Sequence, residues 1–217
     1  MIKNVIFDLD GTIIDSSECI YKVYSALFRE MKIPMPEGRL RRRLIGPPVE
    51  TTLSGYIKTD PSPYGKRFRE IYSTVDLKST NRLYDGIPEL LEGLTDVGYK
   101  LFIATSKAEN FAVKILTYLN VNDYFTAIYG SRYELDRTSK SQVLQAVIED
   151  YKLNKDECIL IGDTKFDYVG ATEVGVKTGV VTYGFGEEED FDESKIAFFA
   201  DSPLAVCKGL EDINNNG

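Results

Sequence analysis

Histidine is absent from all 217 residues. That single absence removes Ser-His-Asp triads, Cys-His pairs, His-Glu zinc sites and phosphohistidine intermediates together. Cysteine is scarce: Cys19, Cys158 and Cys207 make an odd count of 3, too few for a disulfide framework, which points to a reducing cytosol. They read as small buried apolar residues. None opens the arginine-closed loop that a cysteine phosphatase needs. No run approaches the roughly 18 unbroken apolar residues of a membrane span, and no signal-peptide pattern precedes the first strand. Positive charge is outnumbered, 26 Lys and Arg against 34 Asp and Glu, for a net charge of −8. That balance argues against a nucleic-acid scaffold and against an anionic membrane surface. The chemistry left open runs on carboxylates, lysine, hydroxyls and metal.

What is present gathers first at Val5-Ile6-Phe7-Asp8-Leu9-Asp10-Gly11-Thr12. A short apolar run bounded by turn formers reads as a buried strand of a parallel sheet. Asp8 and Asp10 then sit at its carboxyl end, where open α/β sheets bind ligands. Strand alternation sends both carboxylates the same way, with Leu9 opposite. Gly11 permits a tight turn, and the Thr12 hydroxyl can orient a carboxylate. Two clustered acids repel unless one is protonated or a cation lies between them. The pair therefore suggests a metal-assisted nucleophile beside a general acid/base.

Along the chain, Asp15 and Glu18 form a capping-box-like start to a helix carrying Ile20, Val23, Tyr24, Leu27, Phe28 and Met31, which stops before Pro34. Residues 16–81 read as a helical insertion without a strand. That is too long for one crossover of a sheet. A strand-helix rhythm resumes at Asp85, with strands at 100–105, 126–130, 157–161 and 177–181. Ser106-Lys107-Ala108-Glu109 and Ser139-Lys140-Ser141-Gln142 both read as capping boxes, and 214–217 as a frayed tail. The alternation predicts an α/β fold: a three-layer, mostly parallel sheet formed by 1–15 and 82–217. An apolar content of 43% is ample for its core.

Asp8/Asp10, Thr105 with Ser106, Lys140, and Asp163 with Asp167 each fall just past a strand's carboxyl end or at the next helix start. In a parallel sheet these ends converge on one edge. A capped helix start beside Thr105 also offers free N–H groups to an anion. Arg39, Arg41, Arg42 and Arg43 precede the Gly46-Pro47 turn as a charge run, ordinarily a solvated face. Of them, Arg43 is best placed to reach a remote anionic group of a ligand, for which its planar fork is suited.

The set Asp8-Leu9-Asp10-Gly11-Thr12, Thr105, Lys140 and Gly162-Asp163-Thr164-Lys165-Phe166-Asp167 resembles the four motifs of the haloacid dehalogenase-like (HAD) superfamily. Nearly the whole chain is covered. It looks like the phosphoglycolate phosphatase-like branch. Gly130-Ser131 with Leu135-Asp136-Arg137-Thr138-Ser139-Lys140 looks more like that branch's bacterial 5′-nucleotidase-like subgroup. Ser106 and Ser141 stand where many phosphoglycolate phosphatases carry Asn and Pro, which weakens that substrate rather than the chemistry.

The resemblance implies a Rossmann-like core with 16–81 as its helical cap. It also implies a Mg²⁺-dependent phosphatase acting on a small soluble phosphomonoester. Asp8 would form an aspartyl-phosphate, and Asp10 would protonate the leaving group and then activate water. Thr105 and Lys140 would complete the catalytic set. Asp8, Leu9, Asp10, Thr105, Ser106 and Lys140 would hold the phosphate, with Arg43 on the remote anion. Mg²⁺ would bind Asp8, the Asp10 carbonyl, Asp163 and Asp167. The expected substrate is phosphoglycolate or a similar acid, with nucleoside monophosphates as rival and Tyr56 and Tyr64 as base-stacking surfaces. A sugar phosphomutase or a silent regulatory protein would need changes that Thr12 and the intact motifs oppose. The expected molecule is cytoplasmic, a monomer or weak homodimer, with neither nucleic acid nor membrane as partner.

Overall fold

A computed structural model of the chain describes residues 1–135 and 137–216. Asp136, part of the Leu135–Lys140 pattern, lies outside them, as does Gly217. Strand β1 (Asn4–Phe7) is the interior of a six-stranded sheet. The others are β4 (Lys100–Ala108), β5 (Phe125–Ser131), β6 (Cys158–Gly162), β7 (Lys177–Val181) and β8 (Phe198–Ala200). They pair in parallel throughout, in the order β5-β4-β1-β6-β7-β8.

The two-residue period of a strand sorts side chains between two layers. Val5 and Phe7 face a core shared with α5 (Ile87–Asp96), α6 (Glu109–Tyr118) and α9 (Pro203–Asn216). Ile6 faces the other layer, against Val143 and Leu144 of α7 (Lys140–Asp150) and Ala171 of α8 (Lys165–Val174). Full burial of each such side chain contributes about 1.5–3 kcal/mol. Asp8, next in phase after Ile6, is thereby aimed at the starts of α7 and α8.

Between β2 (Ile14–Asp15) and β3 (Arg82–Leu83) the chain forms α1 (Ser17–Met31), α2 (Gly38–Arg42), α3 (Val49–Ser54) and α4 (Ser62–Tyr72). No strand intervenes among the described residues there. The short strands β2 and β3 pair antiparallel, Ile14 with Leu83 and Asp15 with Arg82. The Arg82 guanidinium reaches Asp15 at 3.0 Å, so the two crossings of the helical stretch form one ribbon. Tyr24 packs on Phe28 and Phe68, in a core continuous with Phe7 and Leu9 of the sheet.

Local expectations fail at four places. Helix α1 takes Ser16 as its N-cap, because Asp15 is drawn into β2; its carboxylate still accepts from the Ser17 N–H at 3.0 Å. Strand β4 extends past Ser106 and Lys107, because after an irregularity of register between Ala104 and Ala108 it pairs with β5 again, Ala108 opposite Ser131. Helix α6 therefore begins at Glu109 with no side-chain cap, and Ser106–Glu109 is no capping box. The tail is helical to Asn216: Asn214 accepts from the Ile2 N–H at 2.6 Å and donates to Tyr99 Oη at 2.9 Å. Finally, β8 and α9 complete the sheet where the sequence signalled neither. No described helix is long and apolar enough to cross a membrane.

Candidate active site

The edge formed by the carboxyl ends of β1, β4 and β6 holds a cluster of buried charge. Lys140, the first residue of α7, follows Ser139 in a complete capping box with Gln142, which fixes the helix start and the direction of its side chain. Its Nζ lies 2.7 Å from Asp8 Oδ1 and 2.9 Å from Asp167 Oδ1, and donates to the Ala104 carbonyl at 2.9 Å. Asp167 Oδ2 accepts from the N–H and hydroxyl of Thr164 at 2.9 and 2.8 Å, closing a second capping box at the start of α8. Asp163 follows β6 directly. Its Oδ2 accepts from the Phe185 N–H at 2.7 Å, and its Oδ1 faces the Thr12 hydroxyl at 3.4 Å.

Asp8, Asp163 and Asp167 are all buried and each offers a carboxylate oxygen within 4.8 Å of the others. Burial, with Asp167 adding to it, pushes the Asp8 carboxyl up to about 6 against the pull of Lys140. Burial and then the charges of Asp167 and Asp8 push Asp163 well above the usual carboxylate range. Burial opposes the charge on Lys140, yet Asp167 and Asp8 together hold its ammonium above the ordinary lysine range. One ammonium faces three carboxylates, which, once ionised together, would carry an excess of negative charge that a divalent cation could balance. Hard oxygen donors in this number suit Mg²⁺.

Asp10 takes a different direction from Asp8. The strand ends at Phe7, and the Leu9 carbonyl accepts from the N–H groups of Thr12, Ile13 and Ile14, so alternation does not carry past the turn. Asp10 Oδ2 pairs with Lys107 Nζ at 3.0 Å, while its Oδ1 has no hydrogen-bond partner among the described residues. Both aspartates nevertheless line one cavity, with Thr105, Ser106 and Lys107. Thr105 Oγ1 accepts from the Lys107 N–H at 3.2 Å, and Ser106 Oγ is buried without a hydrogen-bond partner among the described residues. The cavity's far wall is apolar and comes from the helical stretch: Tyr24, Leu44, Pro47, Phe68 and Tyr72 among others.

Two expected site residues lie elsewhere. The Leu9 side chain is fully buried in the core and is not on the cavity wall, because it points opposite to Asp8. Arg43 is turned outward, 3.3 Å from Glu187 and 3.7 Å from Asp190, and lines a separate cleft. Arg39 joins Glu187 and Glu189 there, and Arg42 donates to the Gly184 carbonyl at 2.8 Å. The arginine that does line the Asp8 cavity is Arg69 of α4, paired with Glu50 at 2.7 Å. Tyr64 is absent from that wall, and Tyr56 belongs to the cleft of Arg43.

Residues 5–181 match the family described as haloacid dehalogenase-like hydrolase. The chain belongs to this family. A protein named 5′-nucleotidase from Pseudomonas aeruginosa is 34% identical over 211 residues, 96% of this chain and 95% of that one. One named tyrosine-protein kinase PtkA, from Mycobacterium tuberculosis, is 33% identical over 88% of this chain and 65% of its own length. Proteins named phosphoglycolate phosphatase match more distantly, as at 24% for that of Vibrio parahaemolyticus. Among solved structures, a predicted phosphatase from Clostridium acetobutylicum superposes with a TM-score of 0.91 at 30% identity, covering 98% of this chain and all of that one.

Within this HAD hydrolase the sequence reading missed Lys107. The Ser106–Glu109 pattern places it at a helix start, whereas it lies near the extended end of β4. Its side chain is only 5% exposed. Burial pulls its ammonium down, but Asp10 and Tyr72 outweigh that and hold it above the ordinary lysine range.

Proposed function

We propose that the protein is a Mg²⁺-dependent phosphomonoesterase whose nucleophile is Asp8. The observation that carries this reading is the buried set of Asp8, Asp163 and Asp167 around Lys140, opening on a cavity that also receives Asp10. Asp8, Asp163, Asp167 and the Asp10 carbonyl would hold the ion, which neutralises a phosphoryl oxygen and the carboxylates around it. Asp8 attacks phosphorus and the ester oxygen leaves, giving an aspartyl-phosphate and an alkoxide. Asp10, through its unpartnered Oδ1, gives that alkoxide a proton and later takes one from the water that releases phosphate. Lys140 and Thr105 supply charge and a hydrogen bond to the transferring group.

The same reading treats 16–81 as a cap that screens the crevice and 1–15 with 82–217 as the core. The wall that the cap presents decides the substrate. It is aromatic and apolar, and Arg43 is tied to Glu187 and Asp190 away from it. A leaving group with a flat, weakly polar body, as in a nucleoside monophosphate, fits such a wall better than the compact charged body of phosphoglycolate. The 34% identity to a named 5′-nucleotidase favours the same choice. A small phosphorylated acid remains the second reading, because Arg69 lines this cavity.

A panel of nucleoside monophosphates, phosphoglycolate and sugar phosphates, assayed with Mg²⁺ and with chelator, tests both levels. Metal-dependent phosphate release with the highest kcat/KM on a nucleoside monophosphate is expected. Preference for phosphoglycolate would move the assignment to the second reading. Equal release in chelator would contradict the metal-assisted mechanism.

A further inference from the structure

The Asp10 carboxylate is held by a cation that does not serve the Asp8 cluster. Lys107 lies two residues past Thr105 on the extended end of β4, and its Nζ is 3.0 Å from Asp10 Oδ2. It also donates to Tyr72 Oη at 2.8 Å and sits 4.7 Å from the centre of that ring. Tyr72 is the last residue of α4, on the helical stretch, and its ring packs on Phe111 of α6 with centroids 4.7 Å apart. One chain of contacts therefore runs from α4, through Lys107, to the Asp10 carboxylate.

We propose that Lys107 is a positioning residue for Asp10, and that the Tyr72 hydroxyl sets it in place when the helical cap is seated on the core. The inference rests on the phosphomonoesterase reading above. The ammonium fixes one oxygen of Asp10 and leaves Oδ1 without a hydrogen-bond partner among the described residues. It also holds this carboxylate apart from the triad, where the electrostatic pull of a bound cation would otherwise draw it in. Lifting the cap takes away Tyr72 Oη and the ring face. A four-carbon lysine side chain then regains its rotamers, and Asp10 loses its aim. Acid–base work is in this way tied to closure, which keeps water away from the phosphorylated aspartate until the leaving group has gone.

The test is the leaving-group dependence of turnover in Lys107→Met, Tyr72→Phe and Lys107→Arg, measured on aryl and alkyl phosphates. Misplacing an acid–base group by about 1 Å costs on the order of 10²-fold. Lys107→Met should lose about that much kcat on alkyl esters, which need a proton, and far less on a nitrophenyl ester, with KM little changed. Tyr72→Phe should show a smaller loss with the same slope. Lys107→Arg should recover part of the activity by keeping a cation. In an Asp10→Asn background, Lys107→Met should add nothing.

Losses equal across leaving groups, or losses that multiply with Asp10→Asn, would overturn the proposal. If Lys107→Met fails to fold, Tyr72→Phe decides, since it removes one hydroxyl only. An unchanged slope there overturns the coupling. The parent reading fails separately: an Asp8→Asn enzyme that still turns over refutes the phosphatase mechanism itself, whereas a dead Asp8→Asn beside a wild-type-like Lys107→Met refutes this inference alone.

Discussion

Gly11 and Asp163 lie so close that a β-carbon on Gly11 would stand 2.0 Å from Asp163 Oδ2. Gly11 also has φ of +83°, in the left-handed region. Alanine there meets both difficulties: about 1–2 kcal/mol for the backbone, and displacement of a carboxylate read as a metal ligand. Gly11→Ala should lower the melting temperature and raise the Mg²⁺ concentration needed for half-maximal activity by tenfold or more. A variant that melts earlier yet keeps the wild-type Mg²⁺ requirement would show that Asp163 does not set metal affinity.

Lys140 neutralises two buried carboxylates at once, at 2.7 Å from Asp8 and 2.9 Å from Asp167. Removing one partner of a buried ion pair leaves an uncompensated charge and costs about 3–5 kcal/mol. Lys140→Met should lose stability of that order in urea unfolding without metal. Saturating Mg²⁺ should restore part of it, while phosphate release stays low. An unchanged midpoint would mean that the cluster is not charged as described.

The raised carboxyl of Asp8 fixes the sign of a pH effect. Its folded value of about 6 exceeds the ordinary 3.8, so the folded chain holds this proton longer than the unfolded chain does. That contribution to stability is complete below about pH 4 and is lost as pH rises through about 6. Asp163 is raised too and acts in the same direction. In melting curves of metal-free protein, stabilisation by added Mg²⁺ should therefore grow between pH 4 and 7, and grow less in Asp8→Asn. A pH-independent stabilisation would contradict the account.

Arg69, and not the expected Arg43, lines the Asp8 cavity. Arg43→Ala should leave kcat/KM within about twofold, because its partners are Glu187 and Asp190 on an exposed rim. Arg69→Ala should raise KM for the preferred substrate, because Arg69 lines the Asp8 cavity. Steady-state kinetics of the two variants decide between them. A large KM effect confined to Arg43 would reverse the assignment.

Much of the site was legible because strand ends and capping boxes are local signals. Asp8, Asp163, Asp167 and Lys140 each stand next to a buried apolar strand or a Ser/Thr cap, and the parallel order of the sheet brings them together. Residues facing the cavity from the helical stretch were not legible. Nothing in the arginine run says that Arg43 turns toward Glu187, more than 140 residues later. Tyr72 and Lys107 are likewise joined only by tertiary packing. Strand β4 overran its expected end because it pairs with β5 once more at Ala108, beyond an irregularity that no local signal around Ser106 announces. The three residues of β8 are too few to display a period.

The central claim is that phosphorus passes through the Asp8 carboxylate, and one measurement tests it most directly. The enzyme is mixed with Mg²⁺ and a phosphomonoester, quenched in acid during turnover, digested, and its peptides weighed. The account predicts one phosphoryl group on the peptide carrying Asp8, lost on treatment with hydroxylamine, and neither adduct nor phosphate release from Asp8→Asn. Steady phosphate release without any adduct, together with an active Asp8→Asn enzyme, would contradict it.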